Sequence, residues 1–368
     1  MIPFQRPELP SSTEIDRYLD LSREERWFSN GGPCWRLLRD RLSDRVGAYC
    51  VPVANGTLGL MVALASVLEA PSVGPGRLGA LMPSFTFIAT AQAAVWTGLE
   101  PRLAEIATDH WHLDAAALEA ALSGRDDLAA VVAVSSFGTP PPAETRLRWE
   151  RACREAGLPL VVDSAAGFGA IAEDGVPIGS QGDIEVVSFH ATKPFAVGEG
   201  GAVFTRDRDL HARVEQAVNF GFRADRSVAS TRGLNAKMSE LHAATALAVL
   251  DRLDSILQRR RTSAVAIRSR AASDISWQMG SELSTWQFLP IALTSTAVRE
   301  RMIEACRDRI EVRVYYEPLG KLMSERTPWA GGNLDRTNDL HSRMLCLPMS
   351  NDLSPVELET IASVLEAG

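Results

Sequence analysis

The sequence predicts an α/β protein, a mainly parallel sheet covered by helices and followed by a smaller C-terminal unit. From about Asp40 to Thr205, short β-rich runs alternate with alanine- and leucine-rich helical stretches, the pattern of strands joined by covering helices. A long helical stretch starting at Asn235 then ends the alternation, and the tail beyond it mixes strand and helix signals. The 368 residues, 46% of them hydrophobic, are enough for one large core and a smaller one.

The expected strands, in order, are AYCVPVA, GALMPS, RLAEI, AAVVAVSSF, LPLVVDSA, IEVVSFH and GAVFTRD. Each is a short apolar run rich in valine or alanine and bounded by turn residues. Between them, TLGLMVALASVLEA and AETRLRWERACREAG read as helices, the second ending on Gly157, a residue suited to the left-handed position after a last turn. The stretch NAKMSELHAATALAVLDRLDSILQRRRTSAVAIRSRAA reads as one long helix leading out of the sheet region, with a soft boundary near Leu250. This divides the chain into a large domain, residues 1–250, and a small one, residues 251–368. GPGRLG, from Gly74 to Gly79, matches a dinucleotide-loop pattern by letter only. It follows a helix, contains Pro75 and leads into a strand, whereas that loop follows a strand and opens a helix.

A formal net charge of -8 argues against a general nucleic-acid binder or an anionic-membrane binder, so any phosphate-bearing ligand needs a local site. The five cysteines are odd in number and widely spaced, which forms no disulfide framework and fits a reducing cytoplasm. No stretch reads as a secretory signal or a membrane span.

Three separated pieces carry the chemistry. In VANGTLGL, Gly56 and Thr57 stand between a strand and the first turn of a helix, where free amides and the helix dipole favour a phosphate. The same Asn-Gly-Thr also fits an ordinary turn with Thr57 as the cap. In LPLVVDSAAGFGA, Asp163 ends an apolar strand, where a carboxylate can hold a positive ring nitrogen or simply cap the next turn. In VVSFHATKPFAVGEGGAVF, Lys193 follows an apolar run and precedes a glycine cluster. A lysine amine of lowered pKa forms a Schiff base with an aldehyde, although a surface ion pair is the plainer role. Jointly, a phosphate cradle, a carboxylate and a Schiff-base lysine are the three handles that pyridoxal 5'-phosphate (PLP) requires.

These motifs, with RWFSNGGP, MPSFTFIATAQAAVWTGLEPRLAEI, GLNAKMSELHAATAL, YYEPLG and LCLPMS, resemble the DegT/DnrJ/EryC1/StrS aminotransferases over nearly the whole chain. The resemblance implies the PLP-dependent transferase fold of type I, a large mixed sheet domain with a smaller C-terminal α+β domain, working as a homodimer with shared sites. It implies Lys193 as Schiff-base lysine and proton shuttle, and Asp163 as partner of the ring nitrogen. Gly56, Thr57 and Ser188 are implied as phosphate ligands and Phe87 as the aromatic stacked on the ring. Asn235 is implied to reach the phosphate of the neighbouring subunit, and Tyr316 to stand near the substrate entrance. The chain departs from the family pattern at Ala166, where a glutamine often meets the cofactor's phenolic oxygen, at Phe168, where a histidine often follows, and at Gly320.

His190 is expected either to face the substrate or to point inward, satisfied by a backbone group. His110 and His112 lack further ligands, so no catalytic metal is expected. The expected activity is transfer of an amino group from an amino acid, glutamate, to a nucleotide-linked keto sugar. A keto-inositol-type acceptor is a same-class alternative, and a non-catalytic cofactor-binding regulator an alternative of another class.

Overall fold

The computed structural model describes residues 1–69, 76–124, 126–230, 232–323 and 333–366. Two N-terminal helices, α1 (Ser12–Glu25) and α2 (Pro33–Val46), precede β1 (Tyr49–Val53), α3 (Gly56–Leu68), β2 (Gly79–Pro83), α4 (Ile88–Trp96) and β3 (Glu100–Ala104). The alternation continues through α5 (Ala115–Ser123), β4 (Leu128–Val134), α6 (Ala143–Glu155), β5 (Leu160–Asp163), β6 (Ile184–Ser188), β7 (Gly201–Thr205) and α7 (Arg208–Ala217). Then follow α8 (Glu240–Leu250), α9 (Leu253–Arg268), β8 (Ser276–Trp277), β9 (Leu289–Ala292), α10 (Thr296–Cys306), α11 (Leu319–Leu322), α12 (Asp335–Arg343), β10 (Met344–Leu347) and α13 (Pro355–Glu366).

β1 to β7 form one sheet in the order β1-β7-β6-β5-β4-β2-β3, in which β7 runs antiparallel to both its neighbours and the remaining pairs are parallel. The order jumps from β5 to β4 to β2, so helices must cross over the faces. That explains why the central strands are apolar on both sides: every residue of β2, β4, β5, β6 and β7 is buried. One face packs against α3, α4 and α7, and Ile184, Val186 and Val203 meet Leu60, Ala63 and Leu210 there. The other face packs Val131, Val162 and Leu160 against Trp149 and Cys153 of α6. Each such side chain contributes roughly 1.5–3 kcal/mol by leaving water.

The segment from Asn235 to Ala272 is two helices rather than one long helix. Ser239 caps α8 through the His242 amide, and the chain breaks at Asp251 and Arg252 before α9 begins. α8 is apolar on every side and buried along most of its length, whereas α9 carries the arginines. A change of environment at the break explains the change in composition. The first turns of α9 pack Leu253 and Ile256 with the large-sheet side, and its last turns pack Ala264 and Ile267 with a second cluster. That cluster surrounds a three-stranded antiparallel sheet, β10-β9-β8, and also takes in Ile2, which bridges to Ile310. The expected C-terminal glycine of α6 holds: Gly157 has φ +64° immediately after the last turn. Gly74 and Pro75 of the rejected glycine pattern lie outside the described residues, and from Gly76 the chain leads into β2.

The five cysteines are buried and free. Among the described residues, no helix is long and apolar enough to cross a membrane, and no group of three His, Cys, Asp or Glu side chains is placed to hold a metal ion.

Candidate active site

A cavity of about 730 Å³ opens at the C-terminal ends of β4, β5 and β6, where ligands of parallel sheets gather. Gly56, Thr57, Phe87, Asp163, Ser188, His190, Lys193 and Tyr316 all line it. Asn235 is not among the lining residues: it is exposed and bridges to Asn219.

The helix that ends at this cavity is capped differently from the ordinary turn weighed above. Asn55, not Thr57, is the N-cap, its side-chain oxygen accepting from the Leu58 amide at 2.8 Å, so that Gly56 and Thr57 form the first turn. Asn55 has the short acceptor that the position needs. A Cβ on Gly56 would lie 2.8 Å from the Ser188 Cβ, so only glycine lets the helix terminus approach the end of β6 this closely.

Asp163 is 5% exposed at the end of β5. Thr90 of α4 donates to it at 2.7 Å and the Ala165 amide at 3.1 Å. Burial raises its pKa, while these two donors and the charge of Lys193 oppose the rise. Lys193 lies in the connection from β6 to β7, which leaves and rejoins the sheet on the paired residues Ser188 and Gly201. Burial lowers its amine from 10.5 to about 8, with Asp163 pulling the other way. An amine at that value is in part free base at neutral pH, as Schiff-base chemistry requires.

Aromatic rings form one wall. Tyr316 stacks on Phe137 at 4.9 Å and 12°, and Phe87, 57% exposed at the N-terminal end of α4, lies 6.3 Å from the Tyr316 ring. Burial pushes the Tyr316 hydroxyl well above its usual pKa. His190 lies on the cavity, as the first of its two expected arrangements requires, and does not point inward. It lies past the end of β6, half exposed, with its Nδ1 2.9 Å from the Thr192 hydroxyl and its Nε2 3.6 Å from Glu199. His110 and His112 stack on each other, and His112 Nε2 lies 3.0 Å from the Thr139 carbonyl.

Each departure has its own structural outcome. Ala166 lines the cavity and uses only its carbonyl, which accepts from Thr285 at 2.7 Å. Its methyl group offers no hydrogen bond in place of the glutamine amide. Phe168 turns into the core, edge-on to Phe189 at 5.4 Å and Phe195 at 5.1 Å. Gly320 belongs to the short helix α11.

Thr90, Asn55 and Gln287 are site residues that sequence reasoning missed. Gln287 is 3% exposed and accepts from the Lys193 amine at 3.3 Å. Its signal was a glutamine at the start of the apolar run QFLPIAL, since buried polar side chains are seldom without a partner. Thr90 gave none, because its partner is 73 residues away.

The pattern that defines the DegT/DnrJ/EryC1/StrS aminotransferase family matches residues 11–366. The chain belongs to that family. The fold is correspondingly the type I fold of PLP-dependent transferases, and the chain is a PLP-dependent aminotransferase. The crystal structure of a putative PLP-dependent aminotransferase from Bacillus cereus is 30% identical with a TM-score of 0.89, covering 99% of each chain. DesI, solved in the presence of its TDP-sugar product, is 32% identical with a TM-score of 0.87, over 98% of this chain and 91% of its own. The dTDP-4-amino-4,6-dideoxy-D-glucose transaminase of Shigella dysenteriae is 27% identical over 98% of this chain and 97% of its own.

The residues present suit PLP. The Gly56 cradle closes only without a Cβ, Asp163 offers a buried carboxylate, and Lys193 a desolvated amine, all on one cavity.

Proposed function

We propose that this aminotransferase moves an amino group from an amino acid, glutamate, to a nucleotide-linked keto sugar. The observation that carries the reading is the convergence of Lys193, Asp163 and the Gly56–Thr57 helix terminus on one cavity. The sugar acceptor is supported by likeness to DesI and to the Shigella transaminase, both named for sugar substrates or products.

Bound PLP supplies a reactive aldehyde and a ring that withdraws electrons from a neighbouring carbon. In this reading the first-turn amides of α3, with Thr57 and Ser188, hold the phosphate. The Asp163 carboxylate, oriented by Thr90 and the Ala165 amide, keeps a proton on the ring nitrogen. Phe87 covers the ring face at the cavity mouth. The Lys193 amine, free of that aldehyde once the donor is bound, would take a proton from the substrate carbon and hand it back. Its value near 8 suits both tasks, because it neither keeps nor refuses a proton strongly at neutral pH. Tyr316 and His190 stand on the substrate side.

The same reading makes the enzyme a cytoplasmic homodimer in which Asn235 of each subunit reaches the other's phosphate. It places the boundary between the large PLP-binding domain and the small domain at Leu250.

The test has two parts. PLP-loaded protein mixed with glutamate and no acceptor should release one 2-oxoglutarate per site. The aminated protein should then react with one member of a panel of nucleotide-linked keto sugars faster than with a keto-inositol. No 2-oxoglutarate rejects glutamate as donor, and preference for the keto-inositol moves the acceptor to the cyclitol class.

A further inference from the structure

Lys193, Thr192 and Gln287 line two cavities at once: the large one described above and a small one of about 10 Å³ behind it, walled by Arg260, Met349 and Asn351. Lys193 therefore borders a second, much smaller void together with Gln287. The Gln287 Nε2 donates to the Thr192 carbonyl at 3.2 Å. A carbonyl only accepts, so the nitrogen must face it and the amide oxygen is left for the Lys193 amine at 3.3 Å. Gln287 thus grips both the lysine and the residue before it.

Its own backbone is fixed from behind. The buried Arg260 guanidinium donates to the carbonyls of Trp286 at 2.7 Å and Met349 at 3.2 Å, and to Asn351 Oδ1 at 2.6 Å. These bonds tie α9 to the residue immediately before Gln287.

The chemistry of the acceptor matters as much as its place. An amide oxygen takes a hydrogen bond from an amine or an ammonium alike, so it fixes the nitrogen without fixing the proton. A carboxylate at the same point would hold the ammonium form. The other titratable or charged groups around the two cavities are Asp163, His190, Glu199, Tyr315 and Tyr316 on one side, and Arg6, Glu8 and Arg260 on the other. Of these, Asp163 raises the amine's pKa, against the larger effect of burial.

We propose that Gln287 is a positioning residue for Lys193, holding its amine against the cavity wall through a neutral acceptor that leaves it free to gain or lose a proton. This rests on the proposed role of Lys193. It gives the small C-terminal sheet, whose β9 begins two residues after Gln287, a hand in setting the reactive amine.

The test uses cofactor-free protein, PLP as probe and no substrate. PLP is added over a range of pH, the mixture is quenched with borohydride at one fixed pH, and the label on the Lys193 peptide is counted by mass spectrometry. Gln287→Met keeps the volume and removes the acceptor. It should slow incorporation several-fold at every pH. Gln287→Glu should move the pH midpoint of incorporation upward by about one unit or more, with the rate recovering in alkali. Parent-like rate and midpoint in both variants overturn the inference. If Gln287→Glu does not fold, Gln287→Met decides alone, and parent-like incorporation overturns the inference. A label away from Lys193 in the parent overturns the reading of Lys193 itself and the inference with it. A Lys193 label with one pH course in all three proteins overturns the inference only.

Discussion

The Thr90 hydroxyl donates to Asp163 at 2.7 Å, joining the first turn of α4 to the end of β5. The Thr86 hydroxyl lies 3.0 Å from the Thr90 hydroxyl. Since Thr90 gives its one proton to the carboxylate, Thr86 must donate to Thr90. Asp163 therefore sits at the end of a two-hydroxyl chain that works against the rise in its pKa caused by burial.

Thr90→Val keeps the shape and removes that donor. A hydrogen bond to a charged group is worth about 1.5–3 kcal/mol, so the glutamate half-reaction should slow by roughly 10- to 100-fold. Asp163→Ala should lose more, on the order of 10²–10³-fold, and Asp163→Glu less, with cooperative melting kept in all three. A Thr90→Val rate equal to the parent's would show that the hydroxyl serves packing alone.

Lys193→Met should make the cofactor-free protein more stable near pH 7, by about 1–3 kcal/mol, because a desolvated cation is removed. The sign follows from the direction of the shift. The folded amine titrates at about 8, below its ordinary 10.5. Below pH 8 both states carry the proton and the folded state bears the full cost. Between 8 and 10.5 the folded state sheds it first, so the parent gains stability as pH rises. Denaturant melts at pH 7 and 10.5 should show the gap between variant and parent closing, and a gap independent of pH would count against a buried cation here.

Gly56→Ala places a methyl group 2.8 Å from the Ser188 Cβ. Either α3 or the end of β6 must shift, at a cost of about 1–3 kcal/mol. The PLP dissociation constant should rise by about tenfold or more, measured by titration of cofactor-free protein. Unchanged affinity would show that the phosphate is held elsewhere.

Asn235 is exposed and outside its own subunit's cavity. If the protein is the proposed homodimer in which Asn235 reaches the partner's phosphate, mixing Lys193→Ala with Asn235→Asp under subunit exchange should restore activity, because each mixed dimer then has one site without a lesion. In that arrangement a carboxylate at 235 would repel the phosphate as well as lose the amide donor. With exchange confirmed by mass-tagged subunits, no recovery would place Asn235 outside the partner's site.

The large sheet could be read in advance because each strand is a short apolar run closed by turns. LVVD and IEVVS, for example, end on the very residues that line the cavity. Asp163 and Gly56 stood out for a related reason, since each lies where an element ends and ends leave marks in sequence, and Lys193 stood out as a lone lysine between an apolar run and a glycine cluster. The single helix expected from Asn235 to Ala272 shows the limit. Asp251 and Arg252 interrupt it by a tertiary change of surroundings, with no proline or glycine to announce the break. Thr90 and Gln287 show another limit, since each is defined by a partner 73 or 94 residues away. IEVVSFH reads as one strand, whereas pairing stops at Ser188 and His190 lies past the strand end, on the cavity.

The order of the cavity residues along the chain has a bearing on biosynthesis. Gly56, Thr57, Phe87, Asp163, Ser188 and Lys193 all precede Thr205, whereas Gln287 and Tyr316 belong to the C-terminal part. A nascent chain on the ribosome thus releases the complete sheet β1 to β7 before the segments that steady the lysine and form the aromatic wall have been translated. Vectorial synthesis separates the two halves of the cavity in time, the cofactor half emerging first and the half that meets Tyr316 last.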